Sequence, residues 1–322
     1  MNIDMIHAAA ARAGDMIRET PLLESPALSD IADIRLLLKA ENLQHTGSFK
    51  ARGGWAAVSA MSDAARAKGV IATSSGNHAQ GVARAAHYLG TNAQIVMPSD
   101  APAAKVNGTR AWGADIIPYD RIGDDRIAIA ERLSNDQGLT YIPPYDHEQV
   151  IAGQGTCGLE IAQQAKDLGI DNAEVIICCS GGGLASGSAL ALEAEMPNAI
   201  LHTAEPEHFD DTARSLASGQ HEINAPGHTS ICDAILSPTP GHLTFPIVKT
   251  RYKDGFSVTD DDVLHAMGLA FAHLKLVIEP GGAVALAAAL KHRARLTHDT
   301  VIVTASGGNV DAAIFAKALE TL

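Results

Sequence analysis

Short apolar segments alternate with segments of helical periodicity through most of the chain, and this alternation limits the possible folds more than any other feature. The apolar runs that predict buried strands include Val70–Thr73, Asp115–Tyr119 and Thr300–Ala305. Parallel strands need a long crossover connection, usually a helix, and sheets built this way are buried on both faces. The pattern therefore predicts an α/β fold of mostly parallel sheet with helices on both faces.

A Pro-rich break at residues 141–147 (YIPPYDH) divides the alternating pattern. The alternation runs from about residue 51 to this break and resumes after it. We therefore predict two doubly wound domains, a small one at 51–143 and a large one formed by 1–50 and 144–322. Residues 219–245 are rich in Gly, Pro and His and show no clear period.

Composition narrows the classes of function. The formal net charge is −13, and because no cluster of Lys and Arg offsets it, nucleic acid is not an expected partner.

No apolar run approaches the ~20 residues that span a membrane. Charged residues interrupt the N-terminal segment where a signal peptide would need an apolar run: Asp4, Arg12, Asp15 and Arg18. The four cysteines lack zinc-ligand spacing, and unpaired thiols suit a reducing compartment. We expect a cytoplasmic protein.

Lys50 stands between a predicted strand, Ile34–Leu38, and a predicted helix, Ala51–Met61, after a turn formed by Thr46, Gly47 and Ser48. The helix dipole is positive at this end, which lowers the cost of a neutral amine. A neutral lysine amine forms Schiff bases with carbonyl compounds. An ordinary surface lysine is the alternative that this stretch alone leaves open.

Three polar loops follow predicted strands. The glycines at 181–183 would let backbone N–H groups approach a phosphate at a helix N-terminus, although a tight turn is the alternative. Their spacing fits neither a Walker loop nor a dinucleotide fingerprint. The loop at 74–78 (SSGNH) could bind a carboxylate or merely cap a helix. Ser306 ends a strand, where α/β sheets place ligands, or simply caps the last helix.

Four stretches in this order resemble the motifs of the fold-type II pyridoxal-phosphate enzymes, whose fold is like that of the tryptophan synthase β chain: TGSFKARG at 46–53, SSGNH at 74–78, SGGGL at 180–184 and SGGN at 306–309. This group includes the serine/threonine dehydratases and the serine racemases. The resemblance covers nearly the whole chain. It implies that the large domain binds the cofactor, that the small domain lies on the substrate side, and that the protein forms a homo-oligomer, with a dimer favoured.

The resemblance also implies residue roles. Lys50, beside Phe49, would carry pyridoxal 5'-phosphate as a Schiff base, Asn77 would contact the phenolic oxygen, and Glu279 would lie beside the ring. The cofactor phosphate would be held by Ser180, Gly181, Gly182, Gly183 and Leu184. The substrate α-carboxylate would be held by Ser74, Ser75, Gly76, Asn77 and His78. Arg126 matches a position that contacts substrate in the racemases.

Ser306 would hydrogen-bond the pyridine nitrogen. A hydroxyl does not enforce a protonated ring as a carboxylate would, so the cofactor is a weaker electron sink. This favours β-elimination over transamination.

An acidic loop at 205–211 (EPEHFDD) would ordinarily be a solvated surface. In the racemase and dehydratase branch of the family, the loop at the matching position carries a divalent cation. The implied ligands are Glu205, the carbonyl of Phe209 and Asp211, and oxygen ligands suit Mg²⁺ or Ca²⁺.

Together with the resemblance, these observations predict a lyase that releases ammonia and a 2-oxo acid from a β-hydroxy amino acid by β-elimination, with L-threonine or L-serine as the leading substrates. Two other activities stay open on the same scaffold. A serine racemase would use Ser75 as the acid/base opposite Lys50. A 3-hydroxyaspartate dehydratase would need an extra cation, which His45 or Arg126 could supply; His45 stands where the family motif often has Lys. A non-catalytic protein that binds a phosphate ligand is the alternative from a different class.

Overall fold

The computed structural model describes residues 1–101 and 103–322, and within these residues it contains two sheets. The six-stranded sheet has the order β1-β2-β10-β7-β8-β9, and only its β1–β2 pair is antiparallel. Its strands are β1 (Leu22–Glu24), β2 (Arg35–Lys39), β7 (Glu174–Cys178), β8 (Ile200–Pro206), β9 (Tyr252–Val258) and β10 (Thr300–Thr304). The α/β fold of mostly parallel sheet is confirmed.

The four-stranded sheet is parallel throughout and has the order β5-β4-β3-β6. Its strands are β3 (Val70–Thr73), β4 (Ala93–Pro98), β5 (Asp115–Tyr119) and β6 (Thr140–Tyr141). The strands of this sheet all lie within the predicted small domain, at 51–143.

Helices connect the strands of both sheets. The α-helices are α1 (Ile3–Ala13), α2 (Pro26–Ala32), α3 (Lys50–Ser59), α4 (Asp63–Arg66), α5 (Asn77–Tyr88), α6 (Ala103–Arg110), α7 (Arg126–Gln137), α8 (Glu148–Asp167), α9 (Gly183–Glu195), α10 (Asp211–Ser218), α11 (Thr244–Arg251), α12 (Asp260–Leu274), α13 (Pro280–Lys291) and α14 (Ala312–Leu319). Short 3₁₀ helices include Glu41–Leu43, His45–Gly47 and Asp233–Ile235.

Helix α8 spans 20 residues, although it contains three glycines. Glycines at 153, 155 and 158 weaken the helical signal because glycine has low helix propensity. Helix packing explains their presence: a Cβ at Gly155 would lie 2.9 Å from the carbonyl oxygen of Gly187 in α9. Close packing of α8 against α9 therefore requires glycines, and these same glycines lower the helix propensity of the segment.

The core is built from Ala, Val, Ile and Leu, as the low aromatic content requires. All four cysteines are buried and free. Among the helices of the described residues, none combines the length and apolar character that crossing a membrane demands. The carboxyl ends of β2, β3, β7 and β10 lead into the four polar stretches named above, so the fold directs these stretches toward one region.

Candidate active site

The turn that precedes Lys50 is fixed to the segment after β10. Thr46 and Gly47 adopt positive φ angles of 60° and 73°, and the amide of Gly308 donates to the carbonyl of Gly47 at 2.8 Å. Beyond the turn, the amide of Phe49 donates to the carbonyl of Ser306 at 3.1 Å. Lys50 is the first residue of α3, so its position depends on both the helix and this turn.

The amine of Lys50 is a partly buried donor with a lowered pKa. Nζ donates to the carbonyl oxygen of Pro144 at 2.7 Å and lies 5.0 Å from the centre of the Phe49 ring. Burial lowers the pKa of Lys50 to about 8. A substantial fraction of the amine is therefore neutral near pH 8 and can act as a nucleophile or base. The cause of the shift is desolvation.

A cavity of about 190 Å³ lies beside this amine, and residues from both sheets line it. It brings the four polar stretches together around Lys50. Its lining includes the residues to which the resemblance assigned a cofactor or substrate role: Phe49, Lys50, Ser74, Ser75, Gly76, Asn77, His78, Arg126, Ser180, Gly181, Gly182, Gly183, Leu184, Glu279 and Ser306.

The glycine loop has the form of an anion cradle. Among the described residues, no acceptor pairs with the backbone N–H groups of 181–184, which stand at the N-terminus of α9. A Cβ at Gly181 would lie 2.4 Å from the ring of Tyr145, and Gly182 has a φ of 90°. Free amides at a helix N-terminus bind phosphate well. These residues fit the phosphate of the cofactor that the sequence implies.

The loop after β3 ends in His78, whose imidazole is neutral. Burial, and secondarily the charge of Lys50, lower the pKa of His78 to about 3. Its Nε2 lies 2.9 Å from the carbonyl oxygen of Ile142, and a carbonyl only accepts, so Nε2 carries the proton. The ring therefore adds no positive charge for a carboxylate. What His78 offers an anion is its backbone N–H near the start of α5.

Glu279 is a buried carboxyl group in the cavity wall, directly before α13. Burial raises its pKa to about 7, although a hydrogen bond from Asn77 opposes the rise. That bond runs from Nδ2 of Asn77 to Oε1 of Glu279 at 2.6 Å. A Cβ at Gly307 would lie only 1.9 Å from the same oxygen, which explains why glycine follows Ser306.

Sequence reasoning missed several cavity residues. Tyr145 covers the glycine loop, and Lys105 of α6 forms an ion pair with Asp233, with Nζ and Oδ2 2.6 Å apart. Ser237 donates its amide to Oγ of Ser180 at 3.1 Å. Asp233 and Ser237 lie in the aperiodic segment 219–245, where no pattern indicated them. The only signal for Tyr145 was its place in the Pro-rich break.

The geometry does not support His45 as a cation for the substrate, and Arg126 is the better placed of the two candidates. Burial, together with the charges of Arg84 and Arg18, lowers the pKa of His45 to about 4, so the imidazole is neutral at pH 7. Among the described residues, His45 also lies outside the lining of the cavity.

The acidic loop after β8 lies beside the glycine loop rather than in the cavity. Thr212 donates through Oγ1 to the carbonyl of Ser180 at 3.3 Å. Glu205 accepts backbone N–H groups from Thr212 and Ala213 at 3.2 and 2.8 Å. Burial and Asp211 raise the pKa of Glu205 well above its usual value, and burial raises the pKa of Asp211 to about 7. Oδ2 of Asp211 is buried and has no hydrogen-bond partner in the described part of the chain.

Comparisons with known proteins agree with this geometry. The family described as "Pyridoxal-phosphate dependent enzyme" matches residues 14–307. An L-threo-3-hydroxyaspartate ammonia-lyase of Pseudomonas sp. is 40% identical over 97% of this chain and 96% of its own length. A serine racemase of Schizosaccharomyces pombe is 38% identical over 98% and 97%. A solved threonine deaminase from T.th. is 41% identical, with a TM-score of 0.90 over 97% of this chain and 99% of that one.

Proposed function

The chain belongs to the pyridoxal-phosphate-dependent enzymes, and from this membership we propose that it is an ammonia-lyase whose preferred substrate is 3-hydroxyaspartate. The products would be a 2-oxo acid and ammonia. Relatives of this chain are named ammonia-lyases and racemases, which supports β-elimination as the reaction class. A non-catalytic role finds no support among these relatives.

The cavity residues fit the cofactor. The free amides of 181–184 would hold its phosphate, Asn77 and Ser306 would contact its ring, and Lys50 would carry it. When bound, pyridoxal phosphate supplies an aldehyde that reacts with amines and a ring that withdraws electrons from the substrate α-carbon. Nζ of Lys50 is the base that we assign to the α-carbon proton, because burial gives it a pKa of about 8. The amides at the start of α5 would orient the α-carboxylate.

The observation that favours a dicarboxylic substrate is an arginine in the cavity lining with no acidic partner. Arg126 lines the cavity, and within the described residues no carboxylate pairs with it. The neighbouring cation, Lys105, is already paired with Asp233. Arginine binds carboxylates through charge-assisted hydrogen bonds. A substrate with a second carboxylate would pair with Arg126, whereas L-threonine and L-serine would leave it unused.

Arg126→Gln tests this assignment. Because hydrogen bonds to charged groups contribute about 1.5–3 kcal/mol, we expect kcat/KM for L-threo-3-hydroxyaspartate to fall by roughly 10- to 100-fold. The value for L-threonine should change less than about twofold. Arg121→Gln is the matched control, because Arg121 pairs with Asp100 outside the cavity lining. If the wild type prefers L-threonine, or if Arg126→Gln lowers kcat/KM equally for both substrates, the preference for 3-hydroxyaspartate is contradicted. The enzyme would then be assigned as a threonine/serine dehydratase.

Serine racemase activity is the second candidate, and Ser75 is the observation that favours it. Ser75 lines the cavity with Lys50, and racemases are among the relatives. We assign Ser75 the role of acid/base on the face opposite Lys50. This role is needed to protonate the α-carbon from the second face but not to eliminate a β-hydroxyl group.

We also propose a divalent cation, Mg²⁺ or Ca²⁺, between Glu205, the carbonyl of Phe209 and Asp211. The unpartnered Oδ2 of Asp211 and the raised pKa of both carboxyl groups support it. Within the described residues, no group of three or more His, Cys, Asp or Glu side chains could hold a metal. The site would therefore depend on carbonyl oxygen. Three further features remain predictions. They are the domain boundaries at 50/51 and 143/144, a cytoplasmic location, and assembly as a homodimer.

A further inference from the structure

A chain of side-chain amides crosses the wall of the cavity. Nδ2 of Asn309 donates to the carbonyl of Thr46 at 2.8 Å and to Oδ1 of Asn77 at 2.7 Å. Nδ2 of Asn77 then donates to Oε1 of Glu279 at 2.6 Å. The chain joins four segments: the turn before Lys50, the start of α5, the residue before α13 and the segment after β10.

The direction of this chain follows from its first acceptor. The carbonyl of Thr46 can only accept, so the group of Asn309 that faces it must be the NH₂ group. The same NH₂ group faces Asn77, which must therefore present Oδ1 to it. Nδ2 of Asn77 is then left to face Glu279. Both amide orientations are set from the Thr46 end and do not depend on whether Glu279 is ionised.

Packing holds Asn309 in place. Gly47 has a positive φ of 73°, and a Cβ there would lie 2.6 Å from Oδ1 of Asn309. The amide of Asn309 therefore lies directly against the turn before Lys50. This contact leaves little room for Asn309 to move away from Thr46.

We propose that Asn309 is a positioning residue that fixes the amide orientation of Asn77, so that Asn77 presents a donor to the cavity rather than an acceptor. One N–H of Asn77 is used by Glu279, and the second is left for an acceptor on a bound ligand. The inference deepens the proposed function, because it rests on Asn77 facing the cofactor.

Two substitutions at position 309 have different effects on the Asn77 amide: one frees it to rotate, and the other favours the opposite orientation. Asn309→Ala removes both donors and lets the Asn77 amide rotate. Asn309→Asp keeps the shape but replaces the NH₂ group by an oxygen that only accepts. It would draw Nδ2 of Asn77 toward residue 309 and turn Oδ1 toward Glu279. Glu279 would then have to donate a proton, in the presence of the other charged groups that face it, Asp233 and Lys105.

The experiment compares the holoenzyme of the wild type with Asn309→Ala, Asn309→Asp, Asn77→Ala and the double variant Asn77→Ala/Asn309→Ala. The readouts are the absorption band of the bound cofactor between pH 6 and 9, its dissociation constant, and the melting temperature. Losing one net hydrogen bond should weaken cofactor binding about fivefold in Asn309→Ala. Asn309→Asp should weaken it further and displace the absorption band. In the Asn77→Ala background, Asn309→Ala should add less than about twofold.

Asn42→Asp is the matched control. Asn42 donates to the carbonyl of Val277 at 3.1 Å, two residues before Glu279. It belongs neither to the row of hydrogen-bonded amides nor to the described cavity lining. It should leave the absorption band unchanged even if it lowers the melting temperature. Additive losses in the double variant, or a wild-type band in Asn309→Asp, would overturn the inference alone. A wild type that binds no cofactor would overturn both the proposed function and the inference.

Discussion

At the residue scale, the reactivity of this cavity depends on what burial does to single groups. Lys50 loses solvent and becomes easier to deprotonate, His78 becomes harder to protonate, and Glu279 becomes easier to protonate. The three shifts have one cause, because desolvation disfavours whichever form is charged. The cavity thus offers an amine that is partly neutral near pH 8, where an exposed lysine would be protonated. It also offers an imidazole that stays neutral in mildly acidic solution, where an exposed histidine would be protonated.

Ser75→Ala should separate racemisation from elimination. Racemisation needs a proton donor on the face opposite Lys50, whereas elimination from one enantiomer does not. Formation of D-serine from L-serine should fall by roughly 100-fold or more, a size typical of a lost general acid or base. Release of ammonia from the enantiomer that Lys50 deprotonates should persist. Chiral chromatography and an ammonia assay on the same sample measure both rates, and equal losses would show that Ser75 serves binding.

At the scale of elements, a buried ionic network fixes the helix that begins with Lys50. Arg52 in α3 is 1% exposed. Its guanidinium contacts Glu41, in the 3₁₀ helix before the turn, at 2.7 Å, and Glu160 in α8 at 2.6 Å. The helix is therefore tied on one side to the segment that precedes it and on the other to α8.

Arg52→Ala should lower the free energy of unfolding by roughly 3–5 kcal/mol, because it leaves the carboxylate of Glu41 buried without its ion-pair partner. Glu160 is partly exposed and keeps its ion pair with Lys39. Arg66→Ala is the matched control, since its ion pair with the exposed Asp63 should contribute at most about 1 kcal/mol. Denaturant titrations of both variants make the comparison. A loss below about 1 kcal/mol in Arg52→Ala would show that the network does not fix α3.

The acidic loop gives a prediction about pH and metal. The folded-state pKa of Asp211 is raised to about 7 from a usual 3.8, so between these values the folded state holds a proton that the unfolded state has lost. The metal-free protein should therefore lose stability as pH rises from about 4 to about 7. Glu205, whose pKa is also raised, acts in the same direction, and a divalent cation should remove the loss.

Melting curves from pH 4 to 8, with chelator and with Mg²⁺ or Ca²⁺, measure this effect. Glu205→Gln combined with Asp211→Asn should abolish the difference between the two conditions. Identical melting temperatures with and without metal, after verified metal removal, would show that the loop is only a solvated surface.

At the scale of the whole molecule, the cavity lies where residues from both sheets meet. The four-stranded sheet contributes the loop after β3 together with Lys105 and Arg126, and the six-stranded sheet contributes the glycine loop and Ser306. The sequence predicted that each motif follows a strand, where parallel sheets bind ligands. The family resemblance implied that the large domain holds the cofactor and that the small domain faces the substrate. Strands such as β3 and β5 were predicted with their correct bounds, since short apolar runs flanked by polar residues are a strong signal.

Other parts of the fold gave no local signal. Helix α11 begins at the end of the aperiodic segment 219–245, and strand β9 follows it. Pairing with β8 accounts for β9. Strand β1 has three residues and forms only against β2. The pairing of Lys105 with Asp233 joins residues far apart in sequence, so only the folded chain reveals it. The lowered pKa of His45 likewise follows from burial, and burial at this position cannot be read from the sequence.

The most direct test of the account is the identity of the residue that holds the cofactor. Reduction of the wild-type holoenzyme with borohydride, followed by proteolysis and mass spectrometry, should find the cofactor on the peptide that contains Lys50 and on no other lysine. Lys50→Ala should keep a melting temperature close to that of the wild type but retain no reduced adduct and release no ammonia. A cofactor adduct on a different lysine, or ammonia release by Lys50→Ala at a rate near that of the wild type, would contradict the account.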